Sequence, residues 1–192
     1  MKGINYSIYE EELNDLSYAP SGLFNKIMFR LTRKQSTSIE YTITVPVSDF
    51  LRGQLFCDDV SEAMEETITQ NHLISILLDD FLFDAKRCSN PYDLYNELMN
   101  KDRQSIQVNT FEDKPITKQI NKIEKRSKKL ICAIQRKEAL RLEVMLSDIA
   151  DLEPTRFFTV EDVLQIIYCD FILKYKTGTL KNVLPKIIKR LS

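Results

Sequence analysis

From 115 to 152, apolar and basic side chains recur with a helical period, and no other stretch of the chain sustains one for as long. On a wheel of about 3.6 residues per turn, Ile116, Ile120, Ile123, Leu130, Ile134, Met145, Ile149 and Leu152 share a stripe roughly 100° wide. Lys114, Lys118, Lys122, Lys125, Lys129 and Arg136 fall nearly opposite. Glu112 and Asp113 stand where carboxylates suit the positive end of a helix dipole, and Pro115 suits a first turn whose N–H groups lack partners. Glu153 and Pro154 supply a stop, because the residue before a proline is driven out of helical geometry. The pattern predicts one amphipathic, coiled-coil-like helix over 115–152, roughly 55 Å long. Its period slips at Lys137 and Glu138 and resumes at Leu142. That favours packing within a bundle, with a bend at 135–140, over a free-standing zipper.

The other segments are shorter. Residues 5–9 alternate weakly, as a short strand or an arm would, and 14–22 reads as a loop. Leu23, Phe24, Ile27, Met28 and Leu31 mark a second basic amphipathic helix, with Lys26, Arg30, Arg33 and Lys34 on its far side. Ile39, Tyr41, Ile43 and Val45 alternate with Glu40, Thr42 and Thr44, the period of a half-buried strand over 39–46. Its expected partners are 105–111 and the N-terminal arm. Helices are expected over 48–56, interrupted at Gly53; from Ser61; over 72–87, capped by Asn71 and forming the centre of the core; and over 92–100, started by Asn90-Pro91. Thr159 opens a further helix that Gly178 stops, and Asn182 caps a last one over 183–191 that takes Pro185 into its first turn.

With 192 residues, 43% of them hydrophobic, the chain can bury a full core. The expected fold class is mainly α, a helical bundle with one long amphipathic helix and a minor small β-sheet. The net charge of −1 hides an uneven distribution. Residues 1–112 hold 10 basic and 18 acidic side chains, whereas 113–192 hold 17 basic and 10 acidic. An acidic helical portion with some β-structure is thus joined, within one continuous domain, to a basic one made of the long helix and a C-terminal helical pair, an asymmetry that suits either contact with nucleic acid or attraction between the halves or between two copies. No apolar run is long enough to span a membrane, and the first residues lack the apolar stretch of a secretory signal. Cys57, Cys88, Cys132 and Cys169 are too scattered for a metal site. Free, buried thiols in an intracellular setting are expected, cytoplasmic or, in a eukaryote, nuclear.

Catalytic patterns are missing. Four glycines, at 3, 22, 53 and 178, lie too far apart for a phosphate-cradling loop. His72 is the one imidazole and has no nucleophile at a suggestive spacing. Asp80 and Asp84 are helical neighbours without a matching carboxylate–histidine motif, so neither metal nor cofactor is expected. The C-terminal helices are joined by too long a connection for a DNA-reading helix pair. The expectation is a non-enzymatic subunit or adaptor of a nucleoprotein assembly. Its long helix would meet partner helices, while Lys118, Lys122, Lys125, Lys129, Arg136, Lys186, Lys189 and Arg190 meet phosphates. The alternative is an adaptor or inhibitor that binds protein only, with its charge asymmetry selecting the partner. Protein partners are expected under both, self-association is open, and no membrane contact is expected.

Overall fold

A computed structural model describes residues 6–17, 37–87, 90–107, 126–154 and 156–191. These residues form seven helices and a two-stranded antiparallel sheet, a mainly α protein with a minor sheet. The sheet joins distant parts of the chain. Strand β1 (Ser38–Pro46) pairs with β2 (Ser127–Gln135) in a register that sets Ser38 opposite Gln135, Thr42 opposite Ile131 and Pro46 opposite Ser127. Alternation places Ile43, Val45, Cys132 and Ile134 in the core, and leaves Glu40, Thr42, Thr44, Lys129 and Ile131 exposed on the other face apart from the half-covered Ala133 between them.

This pairing overturns the single helix over 115–152. Residues 115–125 lie outside the described residues, 127–135 is the strand β2, and the helical part, α5, spans Arg136–Leu152. The slip in period at Lys137 and Glu138 marks the true boundary. Leu130 and Ile134 are one helical turn apart, but with Cys132 they also alternate, and a ready partner in β1 decides the matter. Freed from the longer register, α5 turns Ala139, Leu142, Leu146 and Ile149 inward, and Leu152 is 56% exposed. The expected partners of β1 do not pair with it. Residues 105–107 are helical, and the N-terminal segment forms helix α1 (Ser7–Ser17) instead of a strand.

Helix α2 (Val47–Met64) runs unbroken through both Gly53 and Ser61. Gly53 is there for space. A Cβ at this position would sit 2.0 Å from the hydroxyl of Tyr168, which donates to Gln70 Oε1 at 2.6 Å. Ser61 opens no new helix; its hydroxyl bonds the Cys57 carbonyl and accepts from the Ile68 N–H, tying back the turn that follows α2. Helix α3 (Gln70–Ala85) is capped by Thr69, with His72 reciprocating, and not by Asn71. The Asn71 side chain instead accepts from the Ala133 N–H at 2.8 Å, closing a gap on the edge of β2. Helix α4 (Pro91–Gln107) starts at the expected cap, since Asn90 Oδ1 accepts from the Asp93 N–H, and runs beyond 100.

The centre of the core is helix α6 (Val160–Lys176), which touches α2, α3, α4, α5 and β1 and buries Val163, Leu164, Ile167, Tyr168 and Ile172. Thr159 and Asp162 cap it reciprocally, and Gly178, at φ +69°, ends it. Helix α7 (Val183–Leu191) follows Asn182, itself at φ +53°, with Pro185 in its first turn. The basic helix expected over 23–34 lies outside the described residues. No helix among the described residues is long and apolar enough to cross a membrane.

Replacing Gly53 with alanine forces Tyr168 or α2 to move, and an overpacked core of this kind costs about 2–3 kcal/mol. Urea denaturation of G53A is expected to show that loss, and G53A/Y168F is expected to be less destabilised than the two single losses added together, because the clashing oxygen is gone.

Candidate functional site

The side chains expected to meet phosphates do not form one surface among the described residues. Lys118, Lys122 and Lys125 lie outside those residues. Lys129 is exposed on the outer face of β2, opposite Thr44. Its neighbour Lys128 points the other way, its ammonium 4.1 Å above the ring of Phe50. Arg136 begins α5 and is held by Glu11 and Glu12 of α1 at 2.9 and 3.1 Å. Arg190 is paired with Asp80, whereas Lys186 and Lys189 are exposed along α7. Among the described residues no single outward cationic face forms, because a strand sends neighbouring lysines to opposite sides and both expected arginines meet carboxylates of this chain.

Sequence reasoning passed over two acidic groups that the structure makes prominent. Glu143 is buried on the core side of α5, between Leu142 and Leu146. Its Oε2 accepts from the N–H groups of Ile8 and Tyr9 at 2.9 and 2.8 Å, so a distant carboxylate caps α1. Burial raises its carboxyl above the ordinary 4.5, while the two N–H bonds pull the other way. Beside it, the Tyr6 hydroxyl faces the carbonyls of Leu146 and Phe158. The signal was present: a glutamate set into an otherwise apolar helical face.

The second group is Asp170, 5% exposed on the hydrophobic α6. Its Oδ2 accepts from Lys174 at 2.8 Å, and its Oδ1 is buried with no hydrogen-bond donor among the described residues. Asp170 lines a cleft of about 350 Å³ where α7 meets α3 and α6. Phe81, Ile167, Phe171 and Ile187 give this cleft its apolar wall, and the Asp80–Arg190 pair stands at its rim. Lys186 and Arg190, two of the residues singled out in the sequence, are brought together here, one turn apart on α7; Lys189 does not line the cleft.

The nucleophile candidates are quiet. Burial pushes the thiols of Cys57 and Cys169 up to about 12 and that of Cys132 to about 11, so all three are protonated at neutral pH. Cys88 lies outside the described residues. His72 Nδ1 accepts from the Thr69 N–H, a capping role. Among the described residues, no group of three potential ligands could hold a metal ion. Comparison with protein-family models, with curated proteins and with solved structures finds no match.

Glu143→Ala strands two N–H groups at the start of α1, one of them buried, and is expected to cost about 2–3 kcal/mol. Glu143→Gln keeps an acceptor and is expected to cost less. A carboxyl whose folded-state value is raised contributes stability below its unfolded value and loses it as pH rises through the folded one. The urea midpoint of the wild type relative to E143Q is therefore expected to increase as pH falls from about 7 to about 5.

Proposed function

We propose that this protein is a non-enzymatic interaction module, an adaptor or regulator that binds another protein through the outer face of α2. Leu51 and Leu55 carry this reading. They lie one turn apart on that helix, 55% and 64% exposed, and Asp58, Asp59 and Glu62 are exposed on the turns that follow. Scattered exposed leucines are ordinary, but a pair at i and i+4 beside an acidic patch offers an apolar stripe with a charged border. An amphipathic helix with apolar anchors and flanking lysines or arginines complements it in shape and in charge. The scattered glycines, the capping role of His72 and the protonated thiols support a role without catalysis. Free thiols at Cys57, Cys132 and Cys169 fit a reducing, intracellular compartment.

A second reading, the subunit of a nucleoprotein assembly, is favoured by the exposure of Lys129, Lys186 and Lys189. It is the weaker one. The long cationic face that motivated it is divided between β2 and α5, and Arg136 and Arg190 are engaged with carboxylates.

Leu51→Ser/Leu55→Ser is the decisive variant, because both side chains are exposed and their loss leaves the core intact. Photo-crosslinking from position 55 in cell extract, followed by titration of the purified crosslinked protein, is expected to give a saturable interaction. The double variant is expected to weaken it by at least about tenfold. Full affinity in the double variant contradicts the proposal. Light scattering shows whether the partner is a second copy. Salt-dependent nucleic-acid binding, measured by fluorescence anisotropy and abolished by K129E/K186E/K189E, would establish the second reading in its place.

A further inference from the structure

The sheet has two edges, and they are not alike. The bonds that close the ribbon at its ends, from the Arg136 N–H to the Thr37 carbonyl and from the Val47 N–H to the Arg126 carbonyl, fix which residues bond across it. In the observed register Ile39, Tyr41, Ile43 and Val45 exchange hydrogen bonds with β2, so the N–H and C=O groups of Glu40, Thr42 and Thr44 point the other way. The far edge of β2 is partly closed. Asn71 Oδ1 takes the Ala133 N–H at 2.8 Å, and Glu138 Oε2 takes the Gln135 N–H at 3.2 Å. On β1, Glu40, Thr42 and Thr44 are exposed, and their outward backbone groups have no partner among the described residues. The usual protections of an edge are missing as well: from Ser38 to Val45 the strand has no bulge, no lysine and no proline.

We infer that this edge pairs with the same edge of a second copy of the chain, antiparallel about a two-fold axis through Thr42, so that two ribbons become one larger sheet. A two-stranded ribbon gains from such an extension. The strand itself selects the register. Centred on Thr42, every outward residue meets another: Thr42 faces the partner's Thr42 and Glu40 faces the partner's Thr44, each pair exchanging two hydrogen bonds. Pro46, which has no N–H to give, falls outside this ladder. Centring on Glu40 instead would oppose like charges. The side chains agree. Lys129 stands opposite Thr44 on the exposed outer face, so across the axis the row reads Lys129, Thr44 and the partner's Glu40. With about 5 Å between strands, this lysine and glutamate lie roughly 10 Å apart at Cα, within the joint reach of their side chains. Within one chain they do not meet, because Glu40 faces Ala133, farther along β2. On the inner face the half-buried Ile39 and Tyr41 come to lie beside the partner's Val45 and Ile43. The inference is independent of the α2 surface, since Leu51 and Leu55 lie outside the strand.

Sedimentation velocity of the full chain from micromolar to millimolar concentration, together with amide hydrogen exchange, tests the pairing. A reversible monomer–dimer equilibrium is expected. In the dimer the amides of Glu40, Thr42 and Thr44 are expected to exchange at least about tenfold more slowly than in the monomer. Thr42→Pro removes the central outward N–H, which the bonds from β1 to β2 do not use, and is expected to leave the chain folded and monomeric. Glu40→Lys and Lys129→Glu are each expected to weaken the dimer about fivefold, and E40K/K129E together to restore it. If T42P does not fold, the charge swap decides. A chain that stays monomeric at millimolar concentration, a dimer that survives in folded T42P, or a swap that fails to restore affinity overturns the inference. Loss of the dimer in L51S/L55S with its retention in T42P overturns it too, and assigns self-association to the α2 surface.

Discussion

The pairing of β1 with β2 is the constraint on which the rest of the structure depends. Bringing Ser38–Pro46 against Ser127–Gln135 closes a long stretch of chain, an entropic cost that local contacts do not offset. A two-stranded ribbon is marginal by itself, so it persists only because its inner face is covered. Helix α6 covers it. Ile43, Val45, Cys132 and Ile134 meet a core to which α6 contributes Val163, Leu164, Ile167 and Tyr168. The acidic first part of the chain and its basic second part thus share one apolar cluster, and neither contains all of it.

Buried polar groups then fix how the helices sit on that ribbon. Asn71 ties α3 to the edge of β2, Tyr168 ties α6 to Gln70 beside Gly53, and Glu143 ties α1 to α5. Each is satisfied by a specific partner, and each would be costly to leave half made. Against that background Asp170 stands out, because one of its oxygens is satisfied and the other has no donor among the described residues. The α2 face, by contrast, is exposed and apolar within an acidic setting.

What the sequence made legible was local chemistry. Strand β1 followed from its alternation; Thr159, Asn90-Pro91 and Gly178 marked helix ends by capping and left-handed geometry, which depend on a few neighbouring residues. What it concealed was tertiary. Leu130 and Ile134 satisfy both the helical and the strand period, and only the presence of β1 selects between them. Residues 7–17 are helical with a first turn capped from Glu143, far along the chain. Gly53 reads as a helix breaker until the Tyr168 hydroxyl is placed against it. Of the candidate site, the residue types on α7 were visible. The pairing of Arg136 with Glu11 and Glu12, and of Arg190 with Asp80, was not, because those partners come from distant segments.

The most direct measurement on this account is the backbone conformation of residues 127–135 by nuclear magnetic resonance in solution. Extended-type carbon shifts through this segment, with cross-strand proton contacts linking Thr42 to Ile131 and Thr44 to Lys129, are the predicted result. Helical shifts and medium-range helical contacts running unbroken from Ser127 into Arg136–Leu152 would contradict it and restore a continuous rod with a single cationic face.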